Sequence, residues 1–353
     1  MRTVKALWWD AATGAIALID QTKLPGHCRV VRCRTVDRLV SAIENLEVRG
    51  APALGIAGAY GVALAARRIR LPDLGPFLRE LGREAERIAA SRPTAVNLSV
   101  GVGVAMEAAL QSGSVREARE RTLAAADAFA ESESRACHLI GDHGAPLVPD
   151  DCSLLTHCNA GALACGEWGT ALGVVRSAVA QKKRVSVIAC ETRPLLQGAR
   201  LTAWELVSDG IPVTVIPDSA AALMMQRGEV DLVVVGADRI TRDAVFNKVG
   251  TYMHAICARF HGIPFYVAAP VSTFDPERSF REVTIEERPR QEVSTCGGKV
   301  TVPDGAAVRN YAFDRTPHDL VTAFITDIGI LDPPLDWGRI ARARATARGA
   351  ARE

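Results

Sequence analysis

The sequence predicts an α/β fold: a Rossmann-like, doubly wound parallel sheet preceded by a mainly helical N-terminal domain with a small β element. Three observations predict it. After Pro146, short apolar runs rich in β-branched residues recur: "CSLLTH", "RVSVIAC", "PVTVIP", "DLVVVGA", "PFYVAA" and "AFITD". Helical patterns such as "GALACGEWGTALGVVRSAVAQ", "GARLTAWELVSDG" and "DSAAALMMQRG" separate them. Strands apolar on both faces that alternate with helices belong to parallel sheets covered on both sides. Before Pro146 the period is different, with apolar residues three and four apart from about Val36 to Ser134, as amphipathic helices require.

In chain order, "VKALWW" and "AIALID" read as two short strands around a turn at Ala12 to Gly14. "TVDRLVSAIENLEV", "APALGIAGAYGVALAARRI" and "GVAMEAALQSG" follow as helices, and "VREARERTLAAADAFAESESRACHLIGDHGA" as one long helix. The expected division is a helical domain over 1–145, a Rossmann-like domain over 146–335 and a basic tail over 336–353, solvated or disordered.

Composition narrows the function classes. Apolar residues make up 48 %, charged residues 23 %, and the net charge is +2, the profile of an ordinary soluble globular protein. No basic block with interleaved aromatics points to nucleic acid, and no apolar run reaches the roughly 20 residues of a membrane span. The N-terminus lacks the uninterrupted apolar stretch of a signal peptide. The nine cysteines are scattered without a CxxC pair, so neither a zinc site nor a secreted disulfide scaffold is signalled, and a reducing cytoplasm is the expected compartment.

Ligands on open α/β sheets bind beyond the carboxyl ends of the strands. Four consecutive strands end there in polar groups: His157–Cys158–Asn159, Glu191–Thr192–Arg193, Asp218–Ser219 and Asp238–Arg239. One such end makes a helix cap; four together point to a shared site. Asp238 closes an apolar strand, where desolvation raises the proton affinity of a carboxylate, as a general acid or base needs; a helix cap, or a pair with Arg239 or Arg242, explains it equally. Cys158 in "LLTHCNAGALA" reads either as a small core residue or as a thiol activated at a helix N-terminus. His157 beside it points to the opposite face of an extended strand, against a Cys–His pair. Anion-binding features recur without a P-loop: Arg49 before a small-residue turn in "VRGAPALG", Arg92 in "SRPTAVNL", and Asn247 with Lys248 in "NKVGTY". With an acid and a thiol, they suggest a compact phosphorylated substrate.

These strings, together with "GTALGVVRSA", "ETRPLLQGARLTAWEL", "GADRI", "IEERPRQEV" and "AFDRTPHDL", closely resemble the methylthioribose-1-phosphate isomerase family of methionine salvage. The match runs in order from about residue 5 to 335. The resemblance implies a Rossmann-like aldose–ketose isomerase with Cys158 and Asp238 as the catalytic pair. It also implies that Arg49, Gly50, Ala51, Arg92, Gln197, Asn247 and Lys248 hold the sugar and its phosphate. Such enzymes need no metal or organic cofactor, form homodimers through the Rossmann-like domain, and are cytoplasmic. The chain departs from the family at the short segment "TRDAVF", at Cys190 in place of an aspartate, at Ser219 in place of an amide, and at Tyr311 in place of proline. These departures leave open a paralogue acting on 5-deoxyribose 1-phosphate or ribose 1,5-bisphosphate. A non-catalytic regulatory subunit of the translation-initiation nucleotide exchange factor shares the fold, but has no reason to keep a thiol, a carboxylate and phosphate ligands together.

Overall fold

A computed structural model describes residues 4–93 and 95–350. Within them the chain forms two compact units, one of residues 4–138, 160–169 and 344–350, the other of 139–159 and 170–343.

The first unit is mainly helical. Strands β1 (Leu7–Asp10) and β2 (Ala15–Ile19) form the antiparallel pair read from the sequence, with Leu7 opposite Leu18. A third strand, β3 (Val30–Cys33), extends this sheet beside β2. Its outer residues are largely exposed, so it lacks the apolar alternation that betrays a strand. Helix α1 (Val36–Glu44) starts at Thr35, whose hydroxyl accepts the Arg38 amide as an N-cap. Helices α2 (Ala51–Arg68), α3 (Leu74–Ala90) and α4 (Val96–Leu110) follow. Helix α3 buries Phe77, Leu81, Ala85 and Ile88, one face of an amphipathic helix. Helix α2 is instead buried from Pro52 to Ala66, and its small residues let neighbours approach closely. A Cβ on Gly101 of α4 would lie 1.9 Å from the Gly55 carbonyl oxygen of α2. The long helix α5 (Val115–Gly144) is unbroken, and the four-residue α6 (Ala162–Cys165) completes the unit.

The second unit holds β4 (Asp151–Thr156), β5 (Arg184–Cys190), β6 (Val213–Ile216) and β7 (Leu232–Val235), then β8 (Arg239–Ile240), β9 (Ala244–Lys248) and β10 (Phe265–Ala268). After a small hairpin of β11 (Thr295–Cys296) and β12 (Lys299–Val300) come β13 (Phe313–Pro317), β14 (Ala323–Thr326) and β15 (Gly329–Leu331). The main sheet has the order β15-β14-β10-β7-β4-β5-β6, parallel except for β15. From β4 the chain steps outward through β5 and β6; from β7 it steps the other way through β10 and β14. The β4–β7 boundary is therefore the topological switch point, where open α/β sheets leave a crevice for ligands. Helices α7 (Ala171–Ala180), α8 (Ala203–Asp209), α9 (Ala221–Gln226) and α10 (Thr251–His261) alternate with the strands. Short α11 (Gln291–Ser294) precedes the hairpin. A core of Leu155, Ile188, Val233, Phe265, Val267 and Phe324 holds the sheet.

The basic C-terminal stretch is not simply solvated. It forms α12 (Trp337–Ala350), with Ile340 buried and Trp337 edge-on to Phe274 at 6.1 Å. The second three-stranded antiparallel sheet, β13-β9-β8, is also absent from the sequence reading. Among the described residues no helix is long and apolar enough to cross a membrane.

Candidate active site

The four polar strand ends lie on adjacent strands, in the order β7, β4, β5, β6. Leu154 pairs with Leu232 and Leu155 with Val233, so Cys158 and Asp238 leave the same edge of neighbouring strands at the switch point. Two contacts gather these ends around β9. The Asp238 amide donates to the Phe246 carbonyl at 2.9 Å, and His157 Nε2 donates to the Val249 carbonyl at 2.9 Å. The segments that carry Cys158 and Asp238 thus both contact the strand that carries Asn247 and Lys248.

Cys158 is partly exposed and has φ of 65°, a conformation that strains a residue with a Cβ. Two threonines hold it there. The Cys158 amide donates to the Thr192 hydroxyl at 2.9 Å, and the Thr202 hydroxyl donates to the Cys158 carbonyl at 2.6 Å. Asn159 is anchored by its side-chain amide to Thr202 Oγ1 (3.2 Å) and Glu205 Oε1 (2.9 Å). Glu205 is itself paired with the buried Arg176 at 2.8 Å, and Arg176 also meets Asp209 at 2.7 Å. The expectation that a helix N-terminus near Cys158 activates its thiol is corrected: the next helix begins at Ala162 and spans four residues, too few to present a macrodipole. Backbone geometry, rather than a helix end, distinguishes this thiol.

Asp238 also departs from expectation. It is exposed, because β7 ends at Val235 and Gly236–Ala237 carry the chain outward before the carboxylate. The apolar strand therefore does not bury this carboxylate. Of the two neighbouring arginines, Arg239 donates to Asp275 at 3.4 Å and Arg242 to the Pro276 carbonyl at 2.5 Å. The short "TRDAVF" segment closes as the turn between β8 and β9, pinned by the Thr241 hydroxyl on Asp243 at 2.8 Å.

Gln197 is 7 % exposed and its Oε1 has no hydrogen-bond partner, a cost that a substrate hydroxyl would remove. It follows Thr192 and Leu196, both at positive φ, and precedes a π-helical turn over Gly198–Thr202 that runs into α8. Such turns and strained residues gather at functional sites. Gly198 is obligatory, since a Cβ would lie 1.8 Å from the Cys190 carbonyl oxygen. Asn247 and Lys248 are nearly buried; Asn247 donates to Thr251 at 3.0 Å and the Lys248 ammonium stands 5.4 Å from the centre of the Phe313 ring.

Arg49, Gly50, Ala51 and Arg92 belong to the other unit. Gly50, at φ of 97°, starts α2 without a side-chain cap, leaving its N-terminal turn suited to an anion. A Cβ there would lie 2.4 Å from the Ala164 carbonyl oxygen, so only glycine fits. Arg49 Nε donates to Gln21 Oε1 at 3.1 Å, and the buried Gln21 donates to the Leu163 carbonyl at 2.8 Å. Arg92 sits in the turn before α4.

Sequence reasoning missed Gln21, Thr202 and Asp314. Asp314 lies in the quoted "AFDRTPHDL" and accepts the Gly250 and Tyr252 amides at 2.6 and 3.1 Å, tying β13 to the start of α10. Burial raises its pKa to about 6, against the pull of those amides and of Lys248. Burial likewise lowers His157 to about 4 and His254 to about 3, so both imidazoles are neutral at neutral pH. No pattern marks such supports in advance, because their partners come from distant segments.

Known proteins resemble this chain over most of its length. The model of the Initiation factor 2 subunit family matches residues 47–333. A Heliobacterium modesticaldum protein named methylthioribose-1-phosphate isomerase is 51% identical over 324 residues, 90% of this chain and 94% of its own length. A Moorella thermoacetica protein named 5-deoxyribose 1-phosphate isomerase is 50% identical over 331 residues, 93% of each. The crystal structure of 5-methylthioribose 1-phosphate isomerase from Pyrococcus horikoshii superposes with a TM-score of 0.89 at 38% identity, covering 97% of this chain and 96% of that one. The chain belongs to the Initiation factor 2 subunit family and, within it, to the methylthioribose-1-phosphate isomerases.

Proposed function

We propose that this protein is an aldose–ketose isomerase of methionine salvage, converting 5-methylthioribose 1-phosphate to 5-methylthioribulose 1-phosphate, with Cys158 and Asp238 as its catalytic pair. The observation that carries this reading is their placement on neighbouring strands at the sheet's switch point, with Asn247 and Lys248 gathered beside them. The phosphate on the anomeric carbon prevents the spontaneous ring opening of a free hemiacetal. An acid must therefore protonate the ring oxygen as its bond to carbon 1 breaks. Hydrogen then moves from carbon 2 to carbon 1 while the carbon 2 hydroxyl gives up its proton, so the net change is isomerisation. Asp238 supplies and recovers protons; Cys158 shares in that transfer or steadies the developing charge, whether hydrogen travels as hydride or through an enediol. Gln197 Oε1 accepts a sugar hydroxyl, Asn247 orients the sugar and Lys248 offsets the phosphate charge. Arg49, Gly50, Ala51 and Arg92 supply the remaining phosphate and sugar contacts.

A homodimer through the Rossmann-like unit fits the apolar residues that α10 exposes at Tyr252, Met253, Ile256 and Phe260, and sizing chromatography tests it. The reducing cytoplasm is the compartment proposed. A second reading, 5-deoxyribose 1-phosphate as substrate, is favoured by the name of the Moorella relative. Replacing a thioether by a methyl is worth roughly 1–3 kcal/mol in an apolar pocket, so the ratio of kcat/KM for the two sugars decides between them. Asp238→Asn and Cys158→Ser should each lose about 10²–10⁴-fold in kcat with the far-ultraviolet circular dichroism unchanged. Near-normal turnover in either variant overturns its catalytic assignment.

A further inference from the structure

Beneath the candidate site, three buried side chains converge that the isomerase chemistry does not use. His157 follows β4, Cys190 ends β5 and His254 lies on α10; one ligating atom from each falls within 4.8 Å of the others. None of the three is more than 1% exposed. His254 Nε2 stands 3.2 Å from His157 Nδ1. Tetrahedral geometry separates two nitrogens by roughly 3.3 Å when each is about 2.0–2.1 Å from zinc, so the imidazoles already have the spacing of two ligands on one ion.

The surroundings fit the same chemistry. His157 gives its Nε2 proton to the Val249 carbonyl, which directs the Nδ1 lone pair into the cluster. That backbone partner is the outer support metal-bound histidines characteristically have. His254 Nδ1 has no hydrogen-bond partner, so the hydrogen bond between the rings leaves one buried polar atom unsatisfied. Asp218, whose carboxylate accepts the Thr192 and Arg193 amides at 2.7 Å each, brings Oδ1 to 3.9 Å from His157 Nδ1, and a small shift would let that oxygen serve as a fourth ligand. Packing explains why such residues are buried. It does not explain why two imidazoles and a thiol from three segments bring their ligand atoms within 4.8 Å of one another.

We propose that His157, Cys190 and His254 bind one borderline-soft divalent transition metal, of which zinc is the type, with Asp218 or a water molecule completing the tetrahedron. Binding converts the Cys190 thiol to a metal thiolate and releases its proton to solvent. The His254 proton moves from Nε2 to Nδ1, freeing Nε2 to ligate. One proton is released per metal ion and no electron changes hands. The ion ties β4, β5 and α10 together below Cys158 and does not depend on the reaction proposed above.

The test is a cobalt(II) titration of the full-length protein after treatment with a chelator. The expected result is one cobalt per chain, with thiolate charge-transfer absorption in the near ultraviolet and the intense visible bands of tetrahedral cobalt. One proton per ion should be released in weakly buffered indicator solution, and zinc should displace the colour. Cys190→Ser and His254→Gln should lose the bands, whereas Cys158→Ser should keep them. Should Cys190→Ser fail to fold, His254→Gln gives the same reading, and circular dichroism identifies the folded variant. No cobalt uptake by the wild type, bands that survive in Cys190→Ser, or bands lost in Cys158→Ser overturn the proposal.

Discussion

Glu205→Gln should weaken both the fold and the positioning of Cys158, although Glu205 is fully buried and two residues removed from the thiol by hydrogen bonds. Its two carboxylate oxygens accept from Arg176 at 2.8 Å and from the Asn159 amide at 2.9 Å. Glutamine presents one oxygen and one NH2 in their place, so one donor must face another donor. Breaking a buried ion pair costs about 3–5 kcal/mol when a charge is left unpaired. Here Asp209 still accepts from Arg176 at 2.7 and 2.9 Å, which puts the loss near the lower end, about 3 kcal/mol. For a unit of roughly 200 residues that corresponds to a Tm lower by about 6–12 °C. Asn159, loosened on one side, holds Thr202 less firmly, and the strained Cys158 backbone gains alternatives. The kinetic signature is therefore a fall in kcat of about tenfold, or 1.4 kcal/mol, with KM little changed. Calorimetry and steady-state kinetics on the purified variant read both effects. A Tm within about 2 °C of wild type together with unaltered kcat would show that the network neither stabilises the fold nor positions the thiol.

Stability should also fall in acid, as measured by urea unfolding at pH 7 and pH 4 with chelator present. His157 and His254, held at about 4 and 3 in the folded chain, take up protons near 6.5 on unfolding, so stability present above 6.5 is lost as pH falls towards 4. Asp314, raised to about 6 from 3.8, acts with the opposite sign between those values. The net loss is on the order of 4 kcal/mol, and a flat profile would contradict the burial assigned to the two rings. Gly101→Ala should destabilise the helical unit by about 1–3 kcal/mol, since its Cβ would strike the Gly55 carbonyl oxygen, whereas Gly103→Ala on the exposed face meets nothing within 4 Å. Equal melting of the two variants would refute close α2–α4 packing as the reason for glycine. Gln21→Leu should raise KM for the sugar phosphate more than it lowers kcat, because it removes the amide oxygen to which Arg49 Nε donates at 3.1 Å; an unchanged KM removes Arg49 from the phosphate site.

The parts of the site legible in the sequence were those carried by local pattern. Apolar runs placed Cys158 and Asp238 just past strand ends, and the four polar ends of β7, β4, β5 and β6 proved to be neighbours in one sheet. What the pattern could not convey was environment. Asp238 follows an apolar run, yet Gly236 and Ala237 carry the chain on from the strand end and the carboxylate is exposed. Cys158 precedes a small-residue stretch that reads as one helix, yet Gly166 and Gly169, both at positive φ, interrupt it, and only α6 and α7 remain. Strand β3 and the β13-β9-β8 sheet escaped because their pairing partners, rather than their own hydropathy, make them strands.

Hydrophobic periodicity by itself determined the α/β class, the succession of strands and helices, and which side chains follow each strand, because burial on a sheet or helix face imposes its period on the chain. Tertiary structure alone decided the strand order that creates the switch point between β4 and β7, the left-handed backbone at Cys158, and the grouping of His157, Cys190 and His254. Each depends on contacts between segments that lie dozens of residues apart, and the free energy of those contacts leaves no local signature in the order of amino acids.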